Sequence, residues 1–383
     1  MEESSLGTRL RELSLVFLKL GVIGFGGPAA HIALMEMEVV RRRGWLTRDQ
    51  FLDLVGATNL IPGPNSTELA IHIGRARAGL PGLLTAGAAF ILPAFCIVSA
   101  VAWAYQQYGR LPETAALLHG IKPVVIAIVA QALIALGRTA VKNAALAAAG
   151  IIAFIAAVSG VDEVAILVTI GIVAGLTMWV RSQGPDARAT GILVPLWAAV
   201  ASQTTTVGVA SPIALLPMFL VFAKAGSLLF GSGYVLLAFL RADLVERLGW
   251  LTNAQLLDAI VVGQVTPGPV FTTATFIGYH LGGMPGAVTA TVGIFLPAFV
   301  FVAISAPIVP AMRRSRVAGA VLDGVNVASL ALMASVTVAL AKDTLVDVVG
   351  IGIAAVSVVL LVRYRVSTSI LIVAGGVIGL LLR

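Results

Sequence analysis

Two lysines stand at a depth where apolar chains rarely keep one. Lys19 and Lys224 lie inside long hydrophobic runs, 205 residues apart, and a lysine within a membrane is costly unless it snorkels to the surface or serves a polar pathway. The chemistry such a pair offers is attraction of a doubly charged anion, with no nucleophile required. Snorkelling is the competing reading. It is easier for Lys19, about two turns from the charged amino-terminal segment, than for Lys224, which stands 36 residues after Arg188 and 17 before Arg241. At the same offset Asn59-Leu60-Ile61-Pro62-Gly63-Pro64 recurs as Gln264-Val265-Thr266-Pro267-Gly268-Pro269. Each proline lacks an amide hydrogen and breaks the preceding helix, and each glycine permits backbone angles that other residues avoid. A break in hydrocarbon must face protein or a polar cavity, and it leaves free N–H groups at the start of the next half-helix, an end that attracts anions. One copy alone would read as a kink. Two copies, flanked by Asn59, Asn65, Ser66 and Thr67 in one half and Gln264, Thr266, Thr272 and Thr273 in the other, read as a binding element.

Phe25-Gly26-Gly27-Pro28 and Phe230-Gly231-Ser232-Gly233 form a second pair of interruptions, whose amides offer an anion nest or, alternatively, close helix packing through small residues. Glu68 and His72 follow the first Pro-Gly-Pro. A buried carboxylate carries protons or neutralises a nearby arginine, and histidine titrates near neutrality, so both are candidates for proton coupling, with ordinary packing or pairing as the alternative. Thr273 holds the repeat position of Glu68, so the halves are not chemically equal. Lys122, with Asn326 as its repeat partner, is placed near the pathway; Arg75 and Arg77 are read as a cytoplasmic boundary. Four histidines in separate segments form no HExxH pair, and no GxxxxGK[ST] phosphate loop is present. No catalytic residue, metal site or cofactor is expected.

The elements that must position these residues are membrane helices. The chain has 383 residues, 59% hydrophobic and 11% charged, with a mean hydropathy of +1.01, whereas a soluble globule carries about 25% charged residues. Ala259 to Met312 and Ala78 to Gly109 contain no Asp, Glu, Lys or Arg. Forty glycines and 17 prolines then mean close helix contacts and interrupted helices rather than disorder. The single cysteine, Cys96, excludes an intrachain disulfide and is expected to be a small buried side chain. The net charge of +7 marks loops that stay cytoplasmic, and nucleic acid is excluded as a partner. Glu2 and Glu3 make a poor signal-peptide start, so the first apolar segment is expected to remain as a membrane helix.

Apolar runs predict spans at 13–33, 51–74, 81–106, 115–137, 143–160 and 163–180, then at 213–235, 256–279, 286–309, 318–340, 345–361 and 366–382. The internal match extends well beyond the motif. Phe17, Gly21, Trp45 and Asp53 pair with Phe222, Gly226, Trp250 and Asp258. After the loss of one residue, Gly79, Gly82 and Pro93 pair with Gly283, Gly286 and Pro297. The fold expected is an all-α polytopic membrane protein of two homologous six-helix halves, 1–183 and 212–383, joined by a linking transmembrane segment at 184–211 and broken at Pro-Gly-Pro. An odd segment between the halves inverts the second one. Charge agrees: Arg138 and Lys142 make the fourth-to-fifth loop of the first half basic, while in the second half Arg313, Arg314, Arg316, Arg363 and Arg365 flank the other loops. Arg41, Arg42, Arg43 and Arg48 run against this orientation.

Three stretches carry a specific resemblance: Lys19-Leu-Gly-Val-Ile-Gly-Phe-Gly-Gly-Pro-Ala-Ala-His31, Asn59-Leu-Ile-Pro-Gly-Pro-Asn-Ser-Thr-Glu68 and Gly263-Gln-Val-Thr-Pro-Gly-Pro-Val-Phe-Thr-Thr-Ala-Thr-Phe-Ile-Gly-Tyr279. With Leu92-Pro-Ala-Phe95 and Leu296-Pro-Ala-Phe299, the chain resembles the long, two-domain members of the chromate ion transporter family over essentially its whole length. The resemblance implies secondary export of chromate across the bacterial inner membrane, driven by the proton-motive force, through a pathway between halves that opens alternately to each side. The partners implied are chromate or the similarly shaped sulfate, protons and the lipid bilayer, with a homodimer left open. A sulfate or other oxyanion carrier is the nearest alternative. A non-transporting scaffold or sensor is the alternative of another class, and it gives no reason for intramembrane lysines.

The odd crossing makes a topological prediction: tags near Arg188 and near Ser211 report opposite sides of the membrane, and tags near Arg138 and Arg313 both report the cytoplasm. Arg188 and Ser211 on one side would defeat it.

Overall fold

The computed structural model describes residues 5–25, 27–109, 111–182, 214–229, 235–305 and 315–382. All regular structure among them is helical. The first half contains α1 (Leu6–Ile23), α2 (Pro28–Glu36, continued as a π-helix over Met37–Arg42), α3 (Arg48–Thr58), α4 (Asn65–Tyr108), α5 (Pro112–Ala140), α6 (Ala144–Val158) and α7 (Glu163–Ser182). The same order returns as α8 (Leu215–Leu228), α9 (Leu236–Leu240, continued as a π-helix over Arg241–Arg247), α10 (Asn253–Val265), α11 (Thr273–Ser305), α12 (Arg316–Thr344), α13 (Val348–Arg363) and α14 (Thr368–Leu381). Local signals agree across the repeat: a capping box starts both α3, from Thr47 and Gln50, and α10, from Thr252 and Gln255. The chain is an all-α polytopic membrane protein with internal symmetry, and five of its helices are long and apolar enough to cross a bilayer. The linking segment 184–211 and the interruption residues Gly26 and Gly231 lie outside the described residues.

Two kinds of expected span are corrected. The runs 13–33 and 213–235 are not single helices. In the first half α1 stops at Ile23 and α2 starts at Pro28, and the chain folds back between them, since Lys19 on one meets Glu38 beyond the other at 2.5 Å. In the second, α8 stops at Leu228 and Lys224 meets Asp243 at 3.0 Å. Each half therefore has seven helices among the described residues rather than six, because hydropathy does not register a reversal made inside an apolar run.

The runs 51–74 and 256–279 are each cut at Pro-Gly-Pro, and the helix that follows reverses. Ala78 (φ −146°) and Gly79 (φ 62°) leave helical geometry inside α4. A Cβ built on Gly74 would lie 2.2 Å from the Gly82 carbonyl oxygen and 2.6 Å from Ala86. Along a straight helix Gly74 and Gly82 would stand about 12 Å apart, so 65–77 and 80–108 are antiparallel arms of one hairpin. α11 repeats this at Gly282 and Gly283, with Gly278 against Gly286 and Thr275 Oγ1 2.7 Å from Thr291 Oγ1. The shorter arms, 65–77 and 273–281, are too short to cross a hydrocarbon core of about 30 Å. The residue lost in the second half is absorbed where α11 is entered by a 3₁₀ turn over Val270–Thr272: three residues at about 2.0 Å cover the 6 Å or so that four α-helical residues cover.

Packing interleaves the halves. α1 lies on α4 and α8 on α11, while α4 and α11 meet each other. Beyond them α5 packs on α13 and α14 of the other half, and α12 packs on α6 and α7. The close approaches are the same contact made twice. A Cβ on Gly120 of α5 would lie 2.0 Å from the Gly375 carbonyl oxygen of α14, and one on Gly324 of α12 would lie 2.9 Å from the Ile170 carbonyl oxygen of α7. The outer faces keep large apolar side chains exposed, among them Ile151, Ile152, Ile155, Val180 and Val356, as a surface in contact with lipid requires. Cys96 corrects its expectation: it faces outward on α4.

Candidate functional site

The two Pro-Gly-Pro breaks are held by the opposite half. α3 ends at Thr58, with Asn59 as its C-cap, and α4 begins at Asn65. Between them Gly63 has φ 144°, and its N–H donates to the Leu229 carbonyl at 2.6 Å, just past α8. In the second half Gly268 has φ 91° and donates to the Gly24 carbonyl at 2.8 Å, just past α1. Leu229 is the repeat position of Gly24, so one bond is the other with the halves exchanged. The neighbours repeat as well: a Cβ on Gly268 would lie 2.7 Å from that of Ala94, and one on Gly63 would lie 3.6 Å from that of Ala298. The residues Pro62, Gly63, Pro64, Pro267, Gly268 and Pro269 are all buried. This brings each Pro-Gly-Pro against the helix end that leads into the other half's interruption. Gly27 there has φ 79°, whereas Phe25 points outward, 49% exposed.

The polar residues around the two breaks are satisfied unequally. Asn59 donates to the Val55 carbonyl and accepts from Asn65 Nδ2 at 3.2 Å. Asn65 Oδ1, Thr67 Oγ1, both carboxyl oxygens of Glu68 and His72 Nε2 are buried without a hydrogen-bond partner. Ser66, Thr67 and Glu68 are themselves buried. In the second half Thr266, Thr272 and Thr273 each return their hydroxyl to a backbone carbonyl, those of Val262, Pro269 and Val270 at 2.8 Å. Gln264 is half-buried beside them.

The lysines have carboxylate partners. Lys19 pairs with Glu38, which also receives Arg42 at 3.1 Å; Lys224 pairs with Asp243, which also receives Arg247 at 3.0 Å. Each carboxylate lies 19 residues beyond its lysine, on the π-helical stretch. The carboxylates are nearly closed off, with side chains 6% and 3% exposed, while Lys19 is 49% and Lys224 24% exposed. Sequence reasoning missed Glu38 and Asp243, although the 205-residue offset already aligns them. It also missed a cross-half group in which Asp258 receives Lys122 at 2.8 Å and the Tyr105 hydroxyl at 2.7 Å. Arg75 donates to the Val302 and Ala303 carbonyls and so caps the end of α11, and Arg77 pairs with Glu12 at 3.0 Å. Among the described residues no group of three or more His, Cys, Asp or Glu could hold a metal ion.

The chain is similar to known proteins along most of its length. The family model described as chromate transporter matches residues 11–178 and again 216–380. A chromate transport protein of Cupriavidus metallidurans is 34% identical over 97% of this chain and 92% of its own length. One of Pseudomonas aeruginosa is 33% identical over 95% and 90%. An uncharacterized transporter of Methanocaldococcus jannaschii is 26% identical over 84% and 82%. No solved structure matches the chain.

The positive φ of both break glycines makes a stability prediction. Gly63→Ala and Gly268→Ala are expected to lower the melting temperature of the purified protein in detergent, because each adds left-handed strain of about 1–2 kcal/mol to a steric conflict. Gly27→Ala, with a φ of 79° near the 91° of Gly268 but open space around it, isolates the strain and is expected to cost less than Gly268→Ala.

Proposed function

This chain belongs to the chromate transporter family, and on that premise we propose that it is a secondary transporter carrying chromate out of the cell across the bacterial inner membrane. Members of the family are transporters, not enzymes. The observation that carries the reading is the reciprocal pair of bonds, Gly63 to Leu229 and Gly268 to Gly24. They place two broken helices back to back, with the starts of their half-helices buried in protein, which is where an anion stripped of water finds backbone N–H groups. Lys19 and Lys224 stand on the helices that supply the accepting carbonyls, so each offers a positive charge about one to two turns from a break. Chromate takes that charge in competition with Glu38 or Asp243, which keep their arginines.

The proton-motive force acts on this cargo through its electrical component. A dianion leaving a cell that is negative inside gains about 4.6 kcal/mol per 100 mV, twice the value for one elementary charge, which favours export. The halves, 1–183 and 212–383, are read as inverted about a linking crossing at 184–211, so each break serves one face of the membrane in turn. Because α5–α7 and α12–α14 are exchanged between the halves, the moving body is α1–α4 with α8–α11, sliding against the exchanged helices. Sulfate matches chromate in charge and tetrahedral shape and is the runner-up cargo.

Expression is expected to lower cellular accumulation of labelled chromate, and collapsing the membrane potential to raise it. Equal accumulation with and without correctly inserted protein would sink the assignment. Uptake into inside-out vesicles offered chromate, sulfate and phosphate separately ranks the cargoes.

Lys19→Ala and Lys224→Ala are each expected to weaken apparent affinity by about tenfold, the size of one charge-assisted hydrogen bond, with insertion intact. The loss is larger for Lys224, the less exposed of the two. Parental affinity and rate in both variants, at matched expression, would return the lysines to a packing role.

A further inference from the structure

Glu68 is the one described acid close to either break that has no cation and no hydrogen bond. It is fully buried, both carboxyl oxygens lack a partner, and Oε1 lies against Gly63, 2.3 Å from where a Cβ on that glycine would be. Its place in the short arm of α4 fixes what it can do. The first intrahelical bond of that arm is Glu68 N–H to the Pro64 carbonyl at 2.9 Å, with no side-chain cap. The amides of Asn65, Ser66 and Thr67 thus stand ahead of the helical ladder, without an acceptor among the described residues. Thr67 Oγ1 is buried and unpartnered beside them. The second break has neither an acid nor an open hydroxyl at the corresponding place, since Thr272 and Thr273 are both bonded to backbone.

We propose that the cradle at the start of this arm binds a tetrahedral dianion together with one proton, the proton residing on Glu68. Ionised, the carboxylate would put like charge against the anion in a buried site. As the neutral acid it adds an O–H donor to the three amides and the Thr67 hydroxyl, and the proton stays on its oxygen throughout. Proton and anion therefore occupy the same half and travel in the same direction. This rests on the oxyanion reading above and adds the state in which the cargo is carried. Export then moves one net negative charge outward, driven by voltage, with the pH gradient opposing rather than driving it.

The groups around Glu68 leave this role to it. On its own helix stand His72, one turn on, and Arg75, committed to the carbonyls of α11. Packed against that helix, α1 brings Lys19, α2 brings His31, bonded to the Gly24 carbonyl, α3 brings Asp53, and α10 brings Asp258, bound to Lys122 and Tyr105. α11 contributes Tyr279 and His280 and no Asp, Glu, Lys or Arg.

Equilibrium binding of labelled sulfate and of chromate to the purified full chain tests the proposal, with proton uptake followed by an indicator in weak buffer. Sulfate keeps its double charge between about pH 6 and 9, so any slope there belongs to the protein. Where Glu68 is ionised in the anion-free protein, the wild type is expected to lose up to tenfold in affinity per unit rise in pH and to take up about one proton per anion bound; where it already holds its proton, both are absent and the proton shows as the infrared band of a neutral carboxyl. Glu68→Gln is expected to bind with no slope and no uptake, while His72→Gln keeps both. Binding with neither proton uptake nor a neutral-carboxyl infrared band that Glu68→Gln removes overturns the proposal, and so does a slope abolished by His72→Gln. If sulfate binds with the expected slope and chromate does not bind, Glu68 keeps its role and chromate is lost as cargo. Failure of both anions to bind at any pH overturns the proposal and the oxyanion reading together.

Discussion

A peptide N–H in hydrocarbon has no water to turn to, and this structure is organised by where its broken helices find another acceptor. Gly63 and Gly268 sit in breaks that no helical ladder can satisfy, and each takes a carbonyl freed at the end of the opposite half's first helix. Donor and acceptor are both orphans of an interruption. One break without the other would leave a buried polar group, at a cost of roughly 1–3 kcal/mol for each. The paired interruptions are therefore mutually dependent, and this dependence locks the halves in register. Close contact of α4 with α11, and the burial of both Pro-Gly-Pro segments, follow from it.

Charge within the apolar layers obeys the same rule of mutual satisfaction. Lys19 and Lys224 share their carboxylates with Arg42 and Arg247, and Lys122 shares Asp258 with the Tyr105 hydroxyl. Glu38 and Asp243 each keep an arginine when the lysine leaves, so neither is stranded as a bare charge, which is what distinguishes a movable ion pair from a permanent staple. Departures from symmetry concentrate at the first break, where Glu68 and His72 face Thr273 and an apolar environment in the copy. A duplicated scaffold holds position while one of its two copies carries the titratable chemistry.

Much of this was legible in the chain because duplication prints itself in sequence. The 205-residue offset located both breaks and both lysines, and the same offset aligns Glu38 with Asp243, a pair that went unread. The helices from α5 to α7 and from α12 to α14 fell close to their hydropathy runs, since each is one uninterrupted apolar stretch between charged ends. The reversals after Ile23, at Gly79 and at Gly283 were not legible: folding back within hydrocarbon changes neither composition nor charge, so 13–33 read as one span. Cys96 was misplaced because small size indicates burial in a soluble core, while in a membrane protein it is equally at home against lipid. Exchange of α5 with α12 across the halves rests on glycine contacts between residues 255 and 154 positions apart, and no local pattern announces those.

That exchange has a consequence for how the chain is made. α5 is complete at Ala140, yet α13 and α14, on which it packs, begin only at Val348, more than 200 residues later. At about 5–20 residues per second, the ribosome delivers them some 10–40 s after α5 has entered the bilayer. Through that interval Gly120 and its neighbours present an open seam in the membrane, and the first half can neither close nor be checked as folded until the second arrives. Assembly is thus all-or-none at the level of the whole polypeptide: a chain truncated between the halves leaves behind an unfinished surface rather than a working half.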